Sequence, residues 1–249
     1  MIDTEDNMVF GLHPVTELIK AGKEIEKVFV QNGVRSPEMT AICNYCRTNG
    51  IPLQYVPVEK MNRLTRKNHQ GVVAFICPIE YQQLDKVIPL IYDEGRDPLI
   101  LMLDRVTDVR NFGAIARTAY AAGFDAILVP SRGSALINGD AMKTSAGALS
   151  SINVCRADNL KDALGYMKSF GIQVVGFAEK AEKSLWKSDL TGPLCVVMGS
   201  EEDGISQAYM PYLDQHLMIP MPGDIDSLNV SVATGIVCFE VVRQRSLFV

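Results

Sequence analysis

Three stretches of the 249-residue chain combine polar side chains with turn-forming residues in a way that could support chemistry. The first, Asp104 to Ala119, is a polar loop running into a helix, with Asn111 where an N-cap belongs and Arg117 on the second turn. The second, Val197-Met198-Gly199-Ser200-Glu201-Glu202-Asp203-Gly204, is a glycine turn at a strand end followed by three acids. Gly199 lets a ligand approach the backbone closely, and Glu201 offers a carboxylate to an amine, a hydroxyl or an arginine. An acidic loop repels phosphate, so a phosphate cradle is the wrong reading. The third, Ile219 to Val237, is an irregular loop ending at the mouth of an apolar helix. Ser227 and Asn229 both suit an N-cap and only one can serve, which leaves the other for a different task. Gly235 costs about 1 kcal/mol relative to alanine in a helix interior, so a tight contact is expected there.

Such loops need a frame. Beyond residue 96, short apolar runs recur at 99–103, 126–129, 173–177, 194–198 and 216–220, with helical stretches between them. This alternation indicates an α/β class with a parallel sheet covered on both faces. Ligands of such sheets bind at the carboxyl ends of the strands, where all three stretches fall. Earlier, 27–30 and 71–76 read as strands and Pro37 to Asn49 as a helix. The expected organisation is a small α/β domain at 1–78, a linker at 79–96 closing on Asp93-Glu94-Gly95-Arg96-Asp97-Pro98, and a large domain at 97–249.

Composition narrows the class. With 47% hydrophobic and 21% charged residues, the chain reads as an ordinary globular protein. No apolar run approaches the ~20 residues that span a bilayer, and the start is acidic, so a cytoplasmic protein with no membrane partner is expected. The net charge of −5 means that a nucleic-acid partner would have to be met by a local patch. The densest candidate is Lys60-Met61-Asn62-Arg63-Leu64-Thr65-Arg66-Lys67, four cations without an acid, followed by His69. The six cysteines read as buried thiols. Cys43-x-x-Cys46 lacks a second pair that would complete a zinc site, so no metal is expected. A dinucleotide-dependent oxidoreductase would need a GxGxxG turn, and Asp104 to Gly113 has none.

Taken together, the Asn-x-Gly-x-x-x-Arg helix start, the Met-Gly-x-Glu-x-x-Gly loop and the Ser-Leu-Asn-Val-Ser-Val-Ala helix start resemble the three motifs of the SpoU (TrmH) family of RNA ribose methyltransferases, in order and spacing. The likeness covers residues 98 to 246. The first 78 residues also look like the small domain of one branch, through Val9-Phe10-Gly11-Leu12-His13-Pro14-Val15 and His69-Gln70-Gly71-Val72-Val73-Ala74. One departure is Val109, where the family commonly has proline.

The resemblance implies a SPOUT-type parallel sheet with a C-terminal trefoil knot, preceded by a small RNA-binding domain, in a homodimer whose active site lies at the interface. It implies S-adenosyl-L-methionine as cofactor and transfer of its methyl group to an RNA ribose 2′-hydroxyl, a guanosine of 23S ribosomal RNA. The alternatives are transfer RNA as substrate, or a non-catalytic RNA-binding ribosome-assembly protein. By the same resemblance, Gly199, Ile219, Leu228, Met198, Met221 and Ser231 hold the cofactor. Asn111, Arg117, Glu201, Ser227 and Asn229 line the methyl-transfer side, with Glu201 orienting either Arg117 or Asn111. Arg63, Arg66, Lys67 and His69 are the expected RNA contacts. The family's arginine has been assigned as a base, but a guanidinium with pKa above ~12 stays protonated, so Arg117 reads better as a fixed cation.

Overall fold

The computed structural model of the chain describes residues 7–178, 181, 183–224 and 227–246, and divides into two compact units. The first runs to Glu80 and takes in Ile137–Gly139; the second comprises Tyr81–Leu136 and the chain from Asp140.

In the first unit β1 (Met8–Phe10), α1 (Leu12–Lys20), β2 (Ile25–Gln31), α2 (Pro37–Thr48), β3 (Leu53–Val56), α3 (Val58–Leu64) and β4 (Val72–Ile76) follow one another. They form a sheet of order β1-β4-β2-β3, with β4 antiparallel to both neighbours and β2 parallel to β3. Strand alternation sends Val28, Val30, Val72 and Ala74 to one face, where they pack with α1 and α2. Phe29 and Val73 point the other way, against Met61 of α3. Ser36 starts α2, its Oγ accepting from the Met39 N–H at 3.1 Å ahead of the helix-compatible Pro37. Cys43 and Cys46 lie in that core, and burial pushes the Cys46 thiol up to about 11.

The second unit contains α4 (Leu84–Asp93), β5 (Leu99–Leu103), α5 (Val109–Ala121), β6 (Ala126–Pro130), α6 (Gly139–Thr144), β7 (Asn153–Ala157), α7 (Leu160–Ser169), β8 (Gln173–Phe177), β9 (Lys183–Ser184), β10 (Leu194–Met198), β11 (Gln215–Met218) and α8 (Val230–Ser246). The sheet order is β7-β6-β5-β10-β8-β11-β9, parallel at every pairing. Its central strands β5 and β10 are buried at every residue, which is why they read as unbroken apolar runs.

Two expectations change. Residues 79–96 are not simply a linker: α4 occupies 84–93 of them, and its Val87, Ile88 and Ile91 are buried in the core of the second unit. The charges that suggested a boundary, such as Asp85, Lys86 and Asp93, lie on the exposed face. The strand β7 was not expected, because Asn153 and Arg156 interrupt its apolar pattern.

Candidate active site

The three polar stretches leave the carboxyl ends of β5, β10 and β11. Asp108 caps α5, its carboxylate accepting from the Asn111 N–H at 2.7 Å. Asn111 therefore sits within the first turn, not at the cap, and its amide is free to turn outward. Its Nδ2 donates to Glu201 Oε1, and its Oδ1 accepts from Asn229 Nδ2 at 3.2 Å. Asn229 Nδ2 also lies 3.3 Å from Glu201 Oε1. One side chain from each loop thus meets the other two. Glu201 orients Asn111 and Asn229, with no bond to Arg117. Asn229 Oδ1 accepts from the Ser231 N–H at 3.0 Å and from Ser231 Oγ at 2.6 Å, so Asn229 caps α8 and Ser227 is left for the cleft.

The acidic loop is held by backbone and by two residues at the end of β5. Ser200 and Gly204 exchange N–H···O bonds of 3.0 Å each, which presses the Gly204–Ile205 peptide on Gly199 so closely that any Cβ there would overlap it. Asp104 is 1% exposed; its Oδ2 accepts from the Ser206 N–H at 2.6 Å and its Oδ1 from Arg105 Nε at 3.3 Å. The Arg105 guanidinium also reaches Asp203 Oδ2 at 3.0 Å and the Gly204 carbonyl at 3.1 Å. The Asp104 bond, more than the Asp203 contact, raises the Arg105 pKa. Arg105 does this at φ 58°, a left-handed backbone that costs a side-chain-bearing residue about 1–2 kcal/mol. Strain at one residue, sustained by bonds to a second loop, is how a fold fixes a functional loop. No local pattern marks this role, because Arg105 is 98 and 99 residues from its partners.

Between the second and third loops lies a cleft of about 460 Å³. Met198, Ile219, Met221 and Leu228 give it apolar walls, Gly199 a bare backbone, and Glu201, Glu202 and Asp203 three exposed carboxylates. Its size suits a nucleoside-sized ligand, and its charge favours one carrying positive charge. His216 also lines it, a residue that nothing in its sequence surroundings singled out.

The profile of the SpoU rRNA Methylase family matches residues 98–239. The chain belongs to that family. A second profile, RNA 2'-O ribose methyltransferase substrate binding, matches residues 8–82. The 23S rRNA (guanosine-2'-O-)-methyltransferase RlmB of Escherichia coli (strain K12) is 36% identical over 242 residues, covering 96% of this chain and 99% of the relative. The AdoMet-bound rRNA methyltransferase from Sinorhizobium meliloti is similar in structure, with TM-score 0.61 and 26% identity over 96% of this chain and 88% of its own. The A. aeolicus TrmH/SpoU tRNA modifying enzyme aligns over 61% of this chain and 77% of its own, with TM-score 0.56 and 32% identity.

In this SpoU-family chain some expected site residues stand elsewhere. Arg117 is exposed and makes no hydrogen bond or ion pair among the described residues. It lies one turn beyond Gly113, whose face abuts α6: a Cβ there would come within 2.7 Å of Thr144 Cβ. Ser231 serves the α8 cap and is not in the cleft wall. The tight contact expected at Gly235 is absent, since an added Cβ would meet only Thr118 Cγ2, at 3.8 Å. In the small unit Arg63, Arg66 and Lys67 are exposed, but His69 is corrected to a structural role. Its ring is 9% exposed, Nδ1 accepts from the Gly71 N–H at 3.0 Å, and Nε2 lies 3.1 Å from Asn62 Oδ1. Nδ1 is spent on the turn into β4 and Nε2 on Asn62 of α3.

Proposed function

We propose that this chain transfers the methyl group of S-adenosyl-L-methionine to a ribose 2′-hydroxyl of RNA, at a guanosine of 23S ribosomal RNA. The observation that carries the reading is the Asn111–Glu201–Asn229 cluster, one residue from each loop, beside an acid-lined, nucleoside-sized cleft. The 36% identity to RlmB over nearly the whole chain favours the ribosomal target. The likeness to a tRNA modifying enzyme keeps transfer RNA as the second reading.

When bound, the cofactor supplies an electrophilic methyl group on a sulfonium. Backbone at Gly199, Ile219 and Leu228, which line the cleft, would hold its adenosine end, with Met198 and Met221 alongside. The carboxylates of the acidic loop would offset its positive charge. Asn111, Asn229 and Ser227 orient the ribose, so rate enhancement comes from positioning and electrostatics. Arg117 acts as a fixed cation that stabilises the developing oxyanion and grips phosphate.

A homodimer is part of this reading. Val232 and Phe239 of α8 are 52% and 53% exposed, and Tyr120 of α5 is 51% exposed, an apolar stripe on two adjacent helices that a second copy would cover. Such a copy would bring Arg117 to its partner's cleft. The trefoil knot also belongs here, supported by β8 lying between β10 and β11 and by α8 returning against α5. A cytoplasmic location goes with a ribosomal substrate; among the described residues no helix is long and apolar enough to cross a membrane.

Mapping ribose methylation across total RNA from a strain lacking the protein tests the reading. Loss at one 23S guanosine is expected; loss in transfer RNA moves the target, and unchanged methylation everywhere overturns catalysis. For Arg117→Ala, cofactor affinity is retained while transfer falls about 10²–10³-fold.

A further inference from the structure

The small unit's sheet has one face to which that reading gives no task. α1 and α2 cover the face opposite, whereas this one is covered by α3 alone. Strand register places Met8, Phe75 and Lys27 in one row across β1, β4 and β2, and Phe10, Val73 and Phe29 in the next. Phe75 packs edge-on to Phe29, with centroids 5.8 Å apart at 82°. Phe10 and Phe75 keep part of their rings open to solvent.

Ammonium groups converge on these rings. Lys27 Nζ lies 4.6 Å and Lys60 Nζ 5.1 Å from the Phe29 centroid, while Lys67 Nζ lies 5.9 Å from that of Phe10. Among the described residues no carboxylate pairs with any of the three, and α3 carries a single acid, Glu59. Burial lowers the Lys27 pKa, and repulsion from Lys60 adds to it. In a chain of net charge −5, two lysines held near one ring without a counter-charge are completed by an anion from outside.

We propose that this face binds an unpaired segment of RNA, with phosphodiester groups at Lys27 and Lys60, Lys67 farther along the strand, and bases stacked on the open parts of Phe75 and Phe10. The inference rests on the reading of the chain as an RNA methyltransferase and adds the sheet face to the basic run at 60–67. Partly exposed aromatic residues on a sheet face are accessible to splayed bases, whereas a duplex keeps its base faces stacked inside and offers only its backbone.

The test titrates the full chain with a short unpaired RNA and with a duplex of the same length, over a range of salt. Lys27→Gln/Lys60→Gln is expected to lose at least about fivefold in affinity for the unpaired RNA and to flatten the slope of log affinity against log salt by about 1.4. Its thermal midpoint should stay or rise, because two repelling charges are removed. Phe75→Leu keeps an apolar side chain and is expected to weaken unpaired RNA about fivefold or more while leaving the duplex unaffected. Unchanged affinity in the lysine variant, or equal losses for duplex and unpaired RNA, overturns the proposal. If the unaltered chain binds and methylates RNA and the variants do so equally, the sheet face alone is wrong. If the unaltered chain neither binds nor methylates RNA, both readings fall.

Discussion

Two cavities of similar size open at opposite ends of the second unit's sheet, about 460 Å³ at the carboxyl ends of the strands and about 400 Å³ at the amino ends. The amino-end cavity is lined by Arg96, Arg245, Asp97 and Asp125, charges that balance. Arg96 binds Asp125 at 2.5 Å and Glu94 at 2.7 Å, Asp125 also accepts from the Leu99 N–H at 2.8 Å, and Arg245 donates to the Gly192 carbonyl at 2.6 Å. At the carboxyl end Arg105 makes the same kind of bond to Asp203 and holds a left-handed backbone to do so, but Glu201 and Glu202 line the cleft there as well. The same arginine–carboxylate chemistry makes a structural joint where charges cancel and a binding site where carboxylates are left over.

Glycines at the two ends give the largest expected contrast. Gly199→Ala would drive a Cβ into the Gly204–Ile205 peptide, which as backbone cannot turn aside, so the acidic loop must open. Overpacking of this kind costs about 1–3 kcal/mol, and S-adenosylmethionine affinity measured by calorimetry should fall about a hundredfold. Gly192→Ala, at the amino end, meets nothing within 4 Å. It should change stability by less than about 0.5 kcal/mol and leave cofactor affinity as it is. Equal behaviour of the two variants would break the comparison.

Arginines give the next. Arg105→Gly removes three bonds but also relieves about 1–2 kcal/mol of backbone strain, so the thermal midpoint should move little while cofactor affinity falls about tenfold. Arg105→Ala keeps the strain and should lose stability as well. Arg96→Ala should show the opposite split, a loss of up to about 1 kcal/mol in stability with unchanged cofactor affinity.

The same contrast explains what was legible in the sequence. The buried strands β5, β8 and β10 announce themselves, because burial on both faces demands unbroken apolar runs. The loops were located by their glycines and caps, and Asn111, Glu201 and Asn229 were picked out within them. Of their mutual bonds, Glu201 to Asn111 stood as one of two alternatives beside Arg117, and the bonds of Asn229 were not picked out, since such bonds join positions 28 to 118 residues apart. Asp108, not Asn111, takes the cap of α5 because both are acceptable residues and only the backbone path decides. The role of α4 was hidden by Pro89 and its charged outer face. His69 was misread as an RNA contact because its proximity to four cations outweighed any sign that the turn at Gly71 needed its ring nitrogen.

The smallest expected effect lies on α8, where an acid is paired in the amino-end manner. Glu240 is 6% exposed; it accepts from Arg243 Nε at 2.8 Å and Nη2 at 2.7 Å, and from Gln244 Nε2 at 2.8 Å. Gln244 in turn holds the Leu190 N–H at 2.9 Å and the Ser188 carbonyl at 3.0 Å, just ahead of β10. The Arg243 bond, aided by Gln244 and opposed by burial, keeps the Glu240 carboxyl below its ordinary value. A carboxyl depressed by folding contributes stability that is complete above its unfolded pKa of about 4.3 and is lost as pH falls through the folded value. Glu240→Gln keeps the shape and removes the charge. Because Arg243 is 57% exposed, the loss at neutral pH should be only about 0.2–1 kcal/mol. Urea midpoints across the acid range should show the two proteins separated by a constant gap above about pH 5 and converging below about pH 4. A gap that widens on acidification would mean that Glu240 is destabilising when charged, and its pairing would then not resemble the balanced joints at the amino end. Cofactor affinity should be the same in both proteins, which separates this acid from the carboxylates of the cleft.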